Sequence, residues 1–150
     1  MIRNELEHKE MLKRIEEDRT FIAQQRASLE AMGLPTEDVE YGLGPMLSFH
    51  AQLREEVDWY ERVKRGEIGP VSRMTQVGQL LIAARIALSL SQKELAGRLG
   101  VSEAQVSKDE RNEYHGISVE KADRVIQALG AKTCTSIELH PNQARDLVSA

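Results

Sequence analysis

The chain has 150 residues, 41% of them hydrophobic and 29% charged, with a formal net charge of −4. That length suits one ordinary domain or two small ones. No apolar run approaches the ~20 residues that a bilayer span needs, and the opening MIRNELEHKE is too charged for a secretion signal. No membrane partner is therefore expected, and the single cysteine, Cys134, fits a cytoplasmic location. His8, His50, His115 and His140 stand far apart without ligand spacing, so no metal and no cofactor is expected. Charge is uneven: residues 1–71 hold 10 basic and 15 acidic side chains, residues 72–130 hold 8 and 7, and residues 131–150 hold 2 and 2.

From about Arg3 to Ala31 no Pro or Gly interrupts a helix. Met11, Ile15, Ile22, Leu29 and Met32 form a heptad-like stripe on one face, broken by Asp18 and Gln25. Gly33-Leu34-Pro35 ends that helix, and Gly42-Leu43-Gly44-Pro45 reads as a turn rather than a phosphate loop, because no strand precedes it and no Lys follows. Met46, Phe49, Leu53, Val57, Tyr60 and Val63 mark a second stripe, closed by Gly66. Two such helices, ~45 and ~30 Å long, cannot bury their stripes alone. An antiparallel hairpin over 1–66, completed by a second chain, is the expectation. Core packing is the reading preferred for the stripes, over a cofactor pocket lined by Phe49, Trp59 and Tyr60. The acidic run Glu55-Glu56, Asp58, Glu61 reads as a solvated face.

The Gly- and Pro-rich stretch Gly66–Ser72 marks a hinge, and residues 67–74 are assigned as a linker. Val77 to Leu90 is the first helix of a unit spanning 75–130. Leu81, Ala84, Arg85 and Leu88 share one face, yet Val77, Leu80, Ile82 and Ile86 make the other faces apolar too. Such a helix should be covered on most sides, by the unit's own core and by the hairpin or a partner subunit.

Leu90 to Glu110 then carries two start signals. Ser91 precedes Glu94 by three residues and Ser102 precedes Gln105 by three, two capping boxes with Leu90/Leu95 and Val101/Val106 as hydrophobic staples. Gly100 stands where the first short helix must end in a left-handed residue. Two short capped helices about a Gly turn describe a helix-turn-helix. Ser118 caps a last helix, about Val119 to Leu129, stopped by Gly130. The predicted core is Leu81, Ala84, Leu88, Leu95, Ala96, Leu99, Val101, Val106, Val125, Ile126 and Leu129.

The pattern Gly78, Leu81, Arg85, Leu90-Ser91-Gln92, Glu94-Leu95-Ala96, Leu99-Gly100-Val101-Ser102, Val106-Ser107-Lys108 and Glu110 resembles the Xre/Cro family of phage-repressor-type helix-turn-helix domains. The resemblance covers about a third of the chain, and implies a five-helix domain of which four helices are legible here. The hairpin ending in Trp59-Tyr60-Glu61 and Gly66 is similar to an extension on some bacterial regulators of the family.

By that resemblance the helix starting at Ser102 enters the major groove. Ser102, Glu103, Ala104, Gln105 and Lys108 are the expected base readers. Lys108 can donate to guanine, or alternatively to a phosphate; Gln105 can pair with adenine; Ala104 can touch a thymine methyl. Glu103 can accept from cytosine, or merely complement the helix N-terminus. Gln92, Ser107, Arg111 and Asn112 are the expected phosphate contacts, with Tyr114 and His115 either beside them or packing the loop. Arg85 and Glu110 are expected to form an internal ion pair, since an inward-facing Arg needs a carboxylate.

The β-branched stretch Lys132 to Leu139 is expected to be one short strand, paired across a dimer because a lone strand is unstable. Cys134 should then be at least partly buried, and Asn142 to Ala150 frayed or a short helical turn. The expected fold is mainly α: an antiparallel hairpin, a repressor-type helix-turn-helix domain and that strand in the tail, 131–150. The expected function is a sequence-specific double-stranded DNA-binding regulator, a repressor acting as a homodimer on a palindromic site. The alternative is an antitoxin that also binds a small toxin protein. No nucleophile–base pair, phosphate loop or metal cluster suggests an enzyme.

Overall fold

The computed structural model describes residues 1–138. Its helices are α1 (Glu5–Ala31), α2 (Thr36–Lys64), α3 (Val77–Ala87), α4 (Gln92–Leu99), α5 (Glu103–Arg111) and α6 (Val119–Leu129), with one 3₁₀ turn at Met74–Gln76. None of these helices is long and apolar enough to cross a membrane.

Helices α1 and α2 pack along each other as a hairpin. The Asn4 side chain starts α1 by accepting from the Glu7 amide at 2.9 Å. Ile22 is buried on the expected α1 stripe, whereas Met32 and Phe49 are exposed. On α2, Leu53, Val57, Tyr60 and Val63 are buried as their spacing predicts.

The Gly42–Pro45 segment is a correction. It is not a turn but part of α2, which runs unbroken from Thr36 through Pro45. Two helical Gly at about 1 kcal/mol each and a Pro at about 3 oppose this. Val39 and Leu43, one turn apart, are almost fully buried, and burying each contributes roughly 1.5–3 kcal/mol. The two effects are comparable, so tertiary burial offsets poor helix propensity.

Helix α3 lies against α2 on one side and α6 on the other. Its burial of Leu81, Ile82, Ala83, Arg85 and Ile86 follows from that double contact. Of the two covers allowed by its apolar faces, the hairpin is the one observed. A single buried cluster therefore runs from Ile2, Val57, Tyr60 and Val63 into Leu81, Ile86, Leu95, Val106 and Val125. Two expected core residues lie outside it: Leu88 is 50% exposed and Val101 45%. Both stand at helix boundaries, where the chain turns away from the core. Leu88 is the C-cap of α3, and Val101 follows the left-handed Gly100.

The tail also departs from expectation. Residues 132–138 form no strand and are exposed, and Cys134 is exposed with them. Among the described residues no strand lies beside them, so their backbone groups have no ladder to join. Leu139 and the segment Asn142–Ala150 lie outside the described residues.

Two glycines give opposite expectations. At Gly78 a Cβ would overlap the Glu113 carbonyl, whose carbon lies 2.8 Å away. Gly78→Ala should lose about 1–3 kcal/mol of stability through overpacking. Gly97, inside α4, has nothing within 4 Å of its Cβ position, so Gly97→Ala should gain roughly 0.5–1 kcal/mol. Denaturant melts of both variants check the pair; equal shifts would contradict the packing described.

Candidate nucleic-acid interface

Helices α4 and α5 are built as their sequences dictate. Ser91 Oγ accepts from the Glu94 amide at 3.1 Å, while the Glu94 carboxylate accepts from the Ser91 amide at 2.7 Å. That main-chain bond is the chief reason the Glu94 carboxyl lies below its usual range. The cap is thus complete at neutral pH and is lost as pH falls through this lowered pKa. Gly100 ends α4 at φ 68°, a left-handed conformation that glycine adopts without strain. Ser102 Oγ then caps α5 by accepting from the Gln105 amide at 3.2 Å. Of the two capping boxes expected, the reciprocal form is present at Ser91.

The resulting α5 has one buried and one open face. Val106 and Glu110 point into the core. Ser102, Glu103, Ala104, Gln105, Lys108, Arg111 and Asn112 are exposed, and Ser107 is half-buried. The five residues expected to read bases are thus all exposed, at the N-cap and on the first two turns of α5. Gln105 Nε2 donates to Asp109 Oδ1 at 3.0 Å, and Lys121 Nζ of α6 donates to Asp109 Oδ2 at 2.8 Å. Asp109 thereby fixes the Gln105 amide. One N–H and Oε1 of that amide remain for another partner.

Beneath the motif, Arg85 and Glu110 form a bidentate pair, 3% and 1% exposed. Arg85 Nε donates to Oε1, and Nη2 donates to Oε2 at 2.7 Å. Arg85 Nη1 donates to the Leu90 carbonyl at 2.7 Å, and Nη2 also to the Arg3 carbonyl at 2.9 Å. Gln92, at the start of α4, donates from Nε2 to Glu110 Oε2 at 2.7 Å. Its side chain is thus anchored inward at one N–H while its helix end faces out.

Asp109 and Lys121 did not emerge from the sequence, although an acid four residues after Gln105 on a helix is the signal that could have found the first. Tyr114 is buried, and burial raises its phenol pKa. It packs the loop, as one of its two sequence readings had it. His115 is exposed.

Removing either partner of the ion pair leaves an uncompensated buried charge. Arg85→Leu or Glu110→Ala should each lose about 3–5 kcal/mol, unfolding the domain rather than altering specificity. Thermal melts followed by circular dichroism check this. A variant that melts like the unaltered chain but loses DNA would reassign the pair to the interface.

Residues 81–135, just over a third of the chain, match the helix-turn-helix family. No curated protein and no solved structure matches the chain. The matched segment contains the Arg85–Glu110 pair and both capped helices of the motif. Residues 81–135 thus carry a helix-turn-helix domain of the Xre/Cro type, preceded by a helical extension.

Proposed function

We propose that the chain is a sequence-specific double-stranded DNA-binding transcriptional regulator, a repressor acting in the cytoplasm as a homodimer on a palindromic site. The observation that carries this reading is the exposed start of α5, where Ser102, Glu103, Ala104, Gln105 and Lys108 are all open on a capped helix whose Val106 and Glu110 are buried. An α-helix fits the major groove, and these side chains match base edges there. With Asp109 holding its outer N–H, Gln105 offers the remaining N–H and Oε1 to adenine N7 and N6. Lys108 donates to guanine, Ala104 meets a thymine methyl, and Glu103 accepts from cytosine N4. Gln92, Ser107, Arg111 and Asn112 hold phosphates at the edges of the motif.

The unit at 75–130 is near neutral, so affinity comes from these fitted contacts more than from bulk charge. One motif spans only a few base pairs, which favours two copies on half-sites about one helical turn apart. The hairpin at 1–66, joined by the linker at 67–74, is the interaction module, and no catalytic role is assigned.

A second reading, an antitoxin that also represses its own operon, draws on one observation. Phe21, Met32, Leu34, Tyr41 and Phe49 of the hairpin region are exposed. Large exposed apolar residues suit a protein partner, either a second copy or a small toxin.

Selection of duplexes from random DNA tests the proposal, with Gln105→Ala and Lys108→Ala beside the unaltered chain. The expected result is a palindromic consensus that relaxes at one position per half-site in each variant, each lost contact weakening binding by about 1–3 kcal/mol. No enrichment at any salt concentration would sink the DNA-binding reading. Co-purification with a small protein encoded next door, its contact on the hairpin, would favour the antitoxin.

A further inference from the structure

The residues before α1 do more than lead into the hairpin. Ile2 is 1% exposed and belongs to the same buried cluster as Val57, Tyr60, Leu81 and Ile86. Arg3 is clamped by Glu7: its amide donates to Oε2 at 2.9 Å and its Nη2 to Oε1 at 2.8 Å. With its main chain held in this way, Arg3 turns its carbonyl to the Arg85 guanidinium at 2.9 Å.

That carbonyl completes a chain of hydrogen bonds. Of the five N–H donors of a guanidinium, Arg85 directs two to Glu110, one to the Leu90 carbonyl and one to Arg3. Glu110 Oε2, which accepts from Arg85, also accepts from Gln92 Nε2 at 2.7 Å. A link of four groups therefore joins the Arg3 main chain to the Gln92 amide. The Arg3 carbonyl is the member contributed from outside the helix-turn-helix segment. A cleft of about 500 Å³ between the hairpin base and the two motif helices has Arg3, Lys64, Ser91, Gln92 and Glu103 in its walls.

We propose that Ile2–Asn4 is a strap through which the hairpin sets the position of Gln92, so that Ile2 and the Arg3 main chain are positioning elements of the DNA-binding surface. The inference rests on the reading of that surface given above. Without the strap, a buried Arg85 N–H loses its acceptor, and the guanidinium must turn to find another. Turning it moves the carboxylate that it shares with Gln92. The Gln92 amide, whose other N–H is the one offered to phosphate, is then no longer held, and the ordering it needed in advance must be supplied on binding. A change in the hairpin on binding its own partner reaches the DNA surface by the same route.

The test uses the full chain, a selected duplex and fluorescence anisotropy, as a double-mutant cycle between Ile2→Ala and Gln92→Ala. Ile2→Ala should weaken binding about threefold to tenfold in the otherwise unaltered chain and have no further effect beside Gln92→Ala. Glu7→Ala, which frees the Arg3 amide without altering the core, should behave the same way and serves if Ile2→Ala does not fold. A second readout needs no DNA: the side-chain NH₂ signals of Gln92 in NMR should be dispersed in the unaltered chain. They should collapse to free-amide positions in either variant while the α4 backbone signals stay dispersed. Equal losses of affinity with and without Gln92, or Gln92 signals unchanged in both variants, would overturn the proposal. If the unaltered chain selects no duplex, the reading of the surface fails, and the Gln92 signals still decide whether the strap sets that side chain.

Discussion

The buried pair of Arg85 and Glu110 is the constraint on which the rest of the domain depends. Two ions taken from water lose several kcal/mol of hydration each, and only near-ideal geometry and further hydrogen bonds offset this. Here the geometry is bidentate, and both remaining directions of the guanidinium that carry partners end on main-chain carbonyls. Each partner lies on a different part of the chain: α3, the end of α5, the residue before the α4 cap, and the segment before α1. Four pieces of backbone are therefore held in register by one charge pair. An apolar contact of equal size would not fix their relative orientation, because it is not directional.

That orientation matters because the surface above it has little net charge to draw DNA in. The acids of the chain are concentrated in the hairpin, 15 against 10 bases over residues 1–71. An interface of this kind relies on donors and acceptors already aimed. The Asp109 carboxylate serves that end on the outside of α5, joining Gln105 to Lys121 of α6. Glu110 serves it on the inside, joining Gln92 to Arg85. Neighbouring acids on one helix thus hold the two glutamines of the motif from opposite sides.

The parts legible in the sequence were those written in local chemistry. Ser91 with Glu94, Gly100, Ser102 and Gly130 announce helix ends through hydrogen bonds and backbone angles that span four residues or fewer. The Arg85–Glu110 pair was legible through the family resemblance, with the inward face of Arg85 giving the physical reason for a carboxylate partner. The parts that were missed depend on what comes from far along the chain. Gly42-Leu43-Gly44-Pro45 looks like a turn until α1 supplies a surface that buries Val39 and Leu43. Leu88 and Val101 carry the right side chains, but their helix-end positions turn them outward. The β-branched run after Gly130 has strand propensity and no strand beside it, and among the described residues propensity alone does not form one. Ile2 and Arg3 gave no signal, since their burial comes from the packing of the hairpin base on α3.

In the proposed function, recognition lies on α4 and α5, with the hairpin as support rather than as a reading head. Titration of the isotope-labelled full chain with its selected duplex, followed by amide chemical shifts, tests this most directly. The shifts should concentrate at Ser91 and Gln92 and along Ser102 to Asn112, and leave α1 and the middle of α2 unmoved. Shifts concentrated on the hairpin, with Ser102 to Lys108 unchanged, would contradict it.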